Sequence, residues 1–237
     1  MSAAKTLFWG ALGALAWTHV GYPLAAGALA RARPRPVARD PEWTPSVAVI
    51  VAAHDEEALI GRRVENLLAL DYPPEQLEIV VASDASEDGT NEIVEAVAAK
   101  EPRVRLLDCP RGGKVAAQDR AVRDTESDVV AFSDANATWA PDALTQLVAT
   151  LADPDVAYAC GALRLEDAEG NNREGLYWRY ELWLREQESQ LGSVTGGNGS
   201  IYALRRGDYV EVDPRWGHDL SLPYRMVQNG RRAVFEP

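Results

Sequence analysis

The chain has 237 residues and a mass of 25.8 kDa, with 46% hydrophobic and 25% charged residues, a globular composition with room for one good core. Its formal net charge is −12, and every Asp and Glu lies after residue 39. Nucleic-acid binding needs a basic face that neutralises phosphates, so this charge disfavours a nucleic-acid partner. An acidic domain that binds phosphate groups needs a metal cation, a lysine or backbone N–H groups.

The N-terminal segment predicts a membrane anchor. Residues 6–30 carry no formal charge, and as a helix they span roughly 37 Å, against about 30 Å for the hydrocarbon core of a bilayer. Arginines follow at 31, 33, 35 and 39, which places the rest of the chain in the cytoplasm as a single-pass protein of the inner membrane. A cleaved signal peptide is the alternative, because residues 28–30 resemble a cleavage site, but the stretch is too long and basic residues follow it.

Residues 31–45 are rich in Arg and Pro and predict an extended linker, so the domain proper is expected over residues 46–237. The only cysteines are Cys109 and Cys160, without a CxxC motif, which is typical of a reducing compartment.

Apolar runs and amphipathic runs alternate after residue 45, which predicts an α/β domain. Strands are predicted over residues 46–53, 77–84, 104–107, 128–133, 156–165 and 201–204. Helices are predicted from residue 54 to a break at 71–74, after 86–90 through 97, and over 115–123, 141–151, 177–189 and 220–229. Turns are predicted at 110–114 and 170–172, and a Gly-rich loop at 192–200.

Two carboxylates follow apolar, β-branched strands. Asp84 ends the run at 77–83, and Asp134 follows the run at 128–133. Such runs predict buried parallel strands, whose carboxyl ends meet at one edge of the sheet. Ligands of open α/β sheets bind outside that edge, so we expect both carboxylates to face a polar ligand.

Several motifs, in order, resemble family 2 glycosyltransferases with the GT-A fold, in particular the membrane-anchored bacterial polysaccharide synthases. They are AAHDEE at 52–57, SDASEDGT at 83–90, GK at 113–114, FSDAN at 132–136, GGNG at 196–199 and HD at 218–219. The resemblance covers the chain from about residue 46 to its end. It implies a Rossmann-like mixed, mostly parallel sheet flanked by helices, preceded here by one transmembrane helix.

The resemblance also implies roles for single residues in a nucleotide-sugar site. Asp84 matches the carboxylate that recognises the base of the nucleotide, most readily a uracil N–H. His54 takes the place of a ring that stacks on the base, and Glu56 belongs to the same motif. Lys114 supplies positive charge near the nucleotide.

The family's Asp-x-Asp motif corresponds here to Asp134 and Asn136, so Asn136 stands where a second Asp is usual. This implies a divalent cation, Mg²⁺ or Mn²⁺, bridging the two phosphates of the donor. Asp219 matches the general base that deprotonates the acceptor hydroxyl, which would invert the anomeric centre. The loop that faces the acceptor contains Gly197, Asn198 and Gly199.

The resemblance therefore predicts an inverting transferase that uses a nucleotide sugar, specifically a UDP-sugar, and a saccharide or lipid-linked acceptor in cell-envelope or exopolysaccharide synthesis. Relatives usually continue beyond the VFEP sequence at 234–237 with an Arg-Trp motif and further membrane helices, so a truncated chain or a partner chain that supplies the rest is expected. The alternative is a non-catalytic nucleotide-sugar-binding subunit of a membrane complex. A dinucleotide oxidoreductase is disfavoured because no GxGxxG follows a strand.

Overall fold

A computed structural model describes residues 2–163 and 175–237. Its strands are β1 (Val47–Ala53), β2 (Leu77–Asp84), β3 (Val104–Cys109), β4 (Val129–Asp134), β5 (Val156–Gly161), β6 (Ile201–Arg205) and β7 (Arg232–Glu236). Its helices are α1 (Ala3–Ala16), α2 (Tyr22–Ala32), α3 (Ile60–Leu68), α4 (Thr90–Ala98), α5 (Lys114–Asp124), α6 (Ala143–Leu151), α7 (Leu176–Leu191) and α8 (His218–Gln228). A π-helical turn over Trp17–Gly21 joins α1 to α2.

The seven strands form one mixed sheet in the order β3-β2-β1-β4-β6-β5-β7. Strands β1 to β4 are parallel, β6 runs antiparallel to both of its neighbours, and β5 pairs with β7 in parallel. The mixed, mostly parallel sheet that the sequence predicts is therefore confirmed.

Two apolar cores cover the two faces of this sheet. Successive side chains of a strand point to opposite faces, so Val49 and Val51 of β1 pack into one core and Ile50 into the other. The first core also contains the apolar sides of α3, α4 and α6, and the second those of α5 and α8. Because both faces are covered, the central strands are apolar throughout, as is expected of buried parallel strands.

Most predicted elements agree with the structure to within a few residues, with three differences. Helix α3 begins at Ile60 rather than near residue 54, because Asp55 adopts a positive φ of 54° that a helix cannot contain. Strand β7 was not predicted. Strand β5 ends at Gly161, and both the predicted continuation through residue 165 and the turn at 170–172 include residues outside those described.

The N-terminal helices do not support the predicted transmembrane span over residues 6–30. Within residues 2–163 and 175–237, no helix is both long enough and apolar enough to cross a bilayer. Helix α2 instead packs against α7, where Trp183 lies close to Gly27 and the hydroxyl of Tyr22 donates to Glu188 over 2.6 Å.

The predicted linker, residues 31–45, is extended after α2 ends but is held against the domain. The guanidinium of Arg232 donates to the carbonyl oxygens of Arg35 and Pro36, and the N–H of Asp40 donates to the carbonyl of Ala149. These bonds tie the segment to β7 and to α6.

Candidate active site

The candidate site lies where β1, β2 and β4 end. Ala53 of β1 is in register with Ser83 of β2, and Ala52 is in register with Asp134 of β4. Asp84, the last residue of β2, and Asp134 therefore flank the end of β1 at one edge of the sheet.

Two cavities open at this edge, and Lys114 and Asp134 line both of them. The first, of about 250 Å³, is lined by Ala52, Ala53, His54, Glu56, Asp84, Lys114, Asp134, Ala135 and Asn136. The second, of about 260 Å³, is lined by Lys114, Val115, Gln118, Asp134, Gly199, Tyr202, Gly217, His218 and Asp219. The structure thus brings the predicted nucleotide residues to one cavity and the predicted base to its neighbour.

The Asp84 carboxylate holds the turn that precedes α5. It is buried, and it accepts the N–H groups of Gly112 and Gly113 over 2.7 and 3.0 Å and the Arg111 guanidinium over 3.0 Å. Gly113 has φ +85°, a conformation that favours glycine. Both carboxylate oxygens are thereby engaged, and the turn they fix starts the helix whose first residue is Lys114.

The loops after β1 and β2 are locked together beside the first cavity. The Asp55 carboxylate accepts the N–H of Glu87 over 2.8 Å, and the Glu57 carboxylate accepts the N–H of Gly89 over 2.9 Å. Asp55 and Ala85 both have φ +54°, a strained conformation for residues other than glycine. Such strain persists only where surrounding contacts impose it.

His54 and Glu56, both predicted from the family motif, line the first cavity from the loop after β1. Nε2 of His54 lies 3.4 Å from the Asp55 carboxylate, and its Nδ1 is buried without a hydrogen-bond partner. The N–H of Glu56 donates to Thr90 over 2.8 Å, and Glu56 lines the first cavity.

Asp134 lies among positive groups. One carboxylate oxygen pairs with the Lys114 ammonium, and the other accepts the hydroxyl of Ser200 over 2.8 Å. Arg63 is buried nearby with its guanidinium 5.0 Å from the centre of the Trp139 ring. Burial lowers the pKa of Arg63 to about 10 and the negative charge of Asp134 opposes that shift, so Arg63 stays charged at neutral pH.

The predicted metal ligands are two oxygen-bearing side chains at the first cavity. Asn136 is exposed there beside Asp134, and both offer the hard oxygen atoms that Mg²⁺ and Mn²⁺ prefer. In the part of the chain that the structure describes, no group of three or more His, Cys, Asp and Glu residues could hold a metal ion by itself. Asp134 and Asn136 are the residues that would hold a divalent cation at this cavity, and the Lys114 pair shows that the Asp134 carboxylate accepts a cationic partner.

The predicted acceptor loop lies against Asp219. The N–H of Gly197 donates to the Asp219 carbonyl over 2.6 Å, and a Cβ at Gly197 would lie 1.9 Å from the hydroxyl of Tyr158. Only glycine therefore fits at this position. The side chain of Asn198 bonds to the backbone of Gly161 and Ser200, so it shapes the loop from within.

Asp219 itself is exposed in the first turn of α8, where the partial positive charge of a helix N-terminus stabilises a carboxylate. A Cβ at Gly217 would lie 2.4 Å from Oδ1 of Asp219, so a larger residue there would make the Asp219 carboxylate turn away from its present direction.

Three residues that contact predicted site residues were not themselves predicted. Ser200 bonds to Asp134, Arg111 bonds to Asp84, and Gly217 leaves space for Asp219. Each adjoins a motif that was recognised, which is a usable signal: Ser200 follows GGNG, Arg111 precedes GK by two residues, and Gly217 precedes HD.

The fold agrees with the comparisons to known proteins. The sequence profile of glycosyl transferase family 2 matches residues 48–212, most of the chain. The chain therefore belongs to glycosyl transferase family 2.

The similar proteins are glycosyltransferases. The chain is 29% identical over 240 residues to a beta-monoglucosyldiacylglycerol synthase from Trichormus variabilis. The alignment covers 94% of this chain and 50% of that protein. A mannosyltransferase from Pyrobaculum calidifontis, solved in complex with GDP-Man and Mn²⁺, is 30% identical with a TM-score of 0.78, covering 94% of this chain and 65% of that one. GalNAc-T7, solved with UDP, GalNAc and Mn²⁺, shares the fold at 17% identity and a TM-score of 0.63, covering 82% of this chain and 43% of the other. The chain thus spans about half the length of the curated relatives it matches.

Proposed function

We propose that the protein is an inverting glycosyltransferase that moves a sugar from a nucleoside-diphosphate donor to a hydroxyl of a lipid or saccharide acceptor. The observation that carries this proposal is the pair of adjoining cavities with Asp134 and Lys114 in their common wall. A donor in the first cavity would present its anomeric carbon toward the second, where Asp219 lies. Transfer of this kind needs charge neutralisation on one side and a base on the other.

The donor we propose is a UDP-sugar bound by the first cavity. His54 offers a ring for the base, and Lys114 offers a mobile ammonium for the departing diphosphate. The Asp84 carboxylate can accept a uracil N–H once Arg111 moves aside, and the side chain of Arg111 is 59% exposed. The similar Pyrobaculum structure contains GDP-Man, so a GDP-sugar is the competing donor that the experiment must include.

The cation of this site would be Mg²⁺ or Mn²⁺, held by Asp134 and Asn136. Bound there, it would neutralise charge that develops on the leaving diphosphate. Lys114 contributes a positive charge at the same carboxylate, so it would release Asp134 to the cation and turn to the phosphates.

For the acceptor we propose a lipid hydroxyl at a membrane surface. Two observations support it: the relatives named beta-monoglucosyldiacylglycerol synthase, and the exposed apolar side chains of α1. Those side chains include Leu7, Phe8, Trp9, Leu12 and Leu15, which are 44–76% exposed. An exposed apolar patch of this kind is typical of a surface that contacts lipid or protein. A saccharide acceptor, a partner chain and the location at the inner membrane stay predictions.

The proposal is tested by incubating the chain with UDP-glucose, UDP-N-acetylglucosamine or GDP-mannose, Mn²⁺, and diacylglycerol in phospholipid vesicles or soluble oligosaccharides. We expect acceptor-dependent release of UDP and, by NMR, a product of inverted anomeric configuration. Nucleotide binding without turnover under every condition would instead identify a non-catalytic nucleotide-sugar-binding subunit. Preferential turnover of GDP-mannose would overturn the choice of a UDP-sugar.

A further inference from the structure

A chain of buried hydrogen bonds runs beneath the residue that precedes Asp219. His218 is 4% exposed, and Nδ1 of its ring lies 2.8 Å from the hydroxyl of Tyr202. Nε2 lies 3.3 Å from the hydroxyl of Tyr209, which in turn donates to the carboxylate of Asp119. The chain thereby joins the first residue of α8 to β6 and α5.

The carboxylate of Asp119 sets the direction of the bonds on the Nε2 side of the ring. The Asp119 carboxylate accepts, so the Tyr209 hydroxyl donates to it and can accept only from Nε2–H of His218. On the other side of the ring, Nδ1 bonds with the hydroxyl of Tyr202. Burial raises the pKa of both tyrosines, so both keep their hydroxyl protons at neutral pH. The network therefore holds the His218 ring through both of its nitrogens, with Nε2 as the donor toward Tyr209.

Aromatic packing fixes the plane of the same ring. Phe132 meets His218 edge-on, with ring centroids 5.6 Å apart, and stacks on Tyr202 with centroids 4.7 Å apart. Phe132 and Asp134 are two residues apart on β4, so they share one face of the strand. The strand that delivers Asp134 to the cavities also supports His218.

Asp219 has its position set by the backbone around it. Its carbonyl accepts the N–H of Gly197, and its carboxylate lies close to Gly217. His218 is the residue between Gly217 and Asp219 in the sequence. A shift of the His218 ring would thus turn the first helical turn and move the Asp219 carboxylate relative to the cavity.

We propose that His218 is a positioning residue for the transfer step: its hydrogen bonds to Tyr202 and Tyr209 fix the first turn of α8 and so the direction of the Asp219 carboxylate. The inference rests on the proposed function, in which Asp219 is the base. It adds Asp119 and Tyr209, which are linked to Asp219 through His218, to the residues on which turnover depends.

The kinetic test compares His218→Leu, His218→Asn, Tyr209→Phe and a control, Tyr72→Phe, in the complete chain. Asn keeps a polar atom near the place of Nδ1, and Leu removes both bonds. Tyr72 is a buried tyrosine whose hydroxyl donates to Pro45, away from both cavities. Because a displacement of about 1 Å can slow a reaction about 100-fold, we expect His218→Leu and Tyr209→Phe to lower kcat about 10- to 100-fold. The donor KM should stay unchanged, His218→Asn should recover part of kcat, and Tyr72→Phe should keep all of it.

A second readout does not depend on turnover. The Gly197 N–H bonds to the Asp219 carbonyl, so hydrogen exchange in a peptide that covers residues 192–200 reports on the position of the α8 turn. Exchange should be faster in His218→Leu and Tyr209→Phe than in Tyr72→Phe, at temperatures well below the melting point of each variant.

The outcomes separate the two claims. Turnover that survives Asp219→Asn would overturn the proposed function, and with it the effect of His218 on transfer. The exchange measurement would then decide only whether the His218 bonds fix the first turn of α8. Loss of turnover in Asp219→Asn, together with wild-type kcat and wild-type exchange in Tyr209→Phe and His218→Asn, would overturn the positioning role. A parallel fall of kcat and melting temperature in Tyr209→Phe and in Tyr72→Phe would show a purely structural role and would also overturn it.

Discussion

Lys114 and Asp134 form an ion pair in the wall between the two cavities of the site. The Asp84 carboxylate fixes the turn that ends at Lys114, and β4 fixes Asp134. A cationic side chain is thus held between the proposed donor cavity and the cavity that contains Asp219.

Replacement of Lys114 should weaken both donor binding and turnover. In Lys114→Met the diphosphate loses a positive partner, and we expect a fall in kcat/KM of about 10²- to 10³-fold, the size found when one charge-stabilising donor is removed. The pair is partly exposed, so the melting temperature should hardly change. Steady-state kinetics and thermal unfolding check this, with the exposed Lys100→Met as the matched control.

The concentration of divalent cation that turnover requires should depend on the residue at position 136. Removal of divalent ions with EDTA should abolish turnover, and Mn²⁺ or Mg²⁺ should restore it. In Asn136→Asp a second carboxylate replaces a neutral amide, so half-maximal activity should occur at a lower Mn²⁺ concentration. Full activity in EDTA would show instead that Lys114 neutralises the diphosphate without a metal.

Replacement of Asp84 should disturb the turn before α5 as well as donor binding. Asp84→Asn turns an N–H donor toward the Gly112 and Gly113 N–H groups, and an unsatisfied buried group of this kind costs about 1–3 kcal/mol. We expect a lower free energy of unfolding by urea and a higher donor Kd. Arg111→Ala removes only the exposed partner, so its stability should stay within about 1 kcal/mol of wild type. Equal stability of Asp84→Asn and wild type would contradict this role.

The acceptor loop offers a matched pair of glycine substitutions. A Cβ at Gly197 would meet the Tyr158 hydroxyl at 1.9 Å, whereas a Cβ at Gly196 would meet nothing within 4 Å. Overpacking of a buried position costs about 1–3 kcal/mol, so Gly197→Ala should lower the melting temperature and turnover, and Gly196→Ala should change neither. Thermal unfolding and a transfer assay separate the two, and indistinguishable variants would contradict the described packing.

The sequence predicts the sheet well because its central strands are buried on both faces. Strands β1, β2 and β4 are near-continuous apolar runs, and short runs of that kind are typical of parallel strands that are buried on both faces. Strand β7 was missed because it has five residues with a charged residue at each end, and its pairing with β5 joins segments about 75 residues apart. No local pattern encodes such a pairing.

Apart from Gly197 and Asn198, the predicted site residues line the two cavities, because strand ends, helix starts and the loops beside them determine where these residues lie. Their partners could not be predicted in the same way. Asp119 and Tyr209 bond across the fold, as do Arg232 and the residues at 35–36, so only the tertiary structure brings them together. For Asp84 the resemblance predicts a carboxylate that recognises the base, and the structure adds its three partners in the turn at 111–113.

The role of Asp219 as the general base is tested by comparing turnover of Asp219→Asn with that of a control, Asp213→Asn. The carboxylate of Asp213 is exposed and pairs with Arg215 away from both cavities. Loss of a general base lowers kcat about 10²- to 10⁴-fold, and the donor Kd from calorimetry should stay at the wild-type value because Asp219 lines only the second cavity. Asp213→Asn should keep wild-type kcat. Undiminished turnover by Asp219→Asn, with the donor still bound, would show that Asp219 is not the general base.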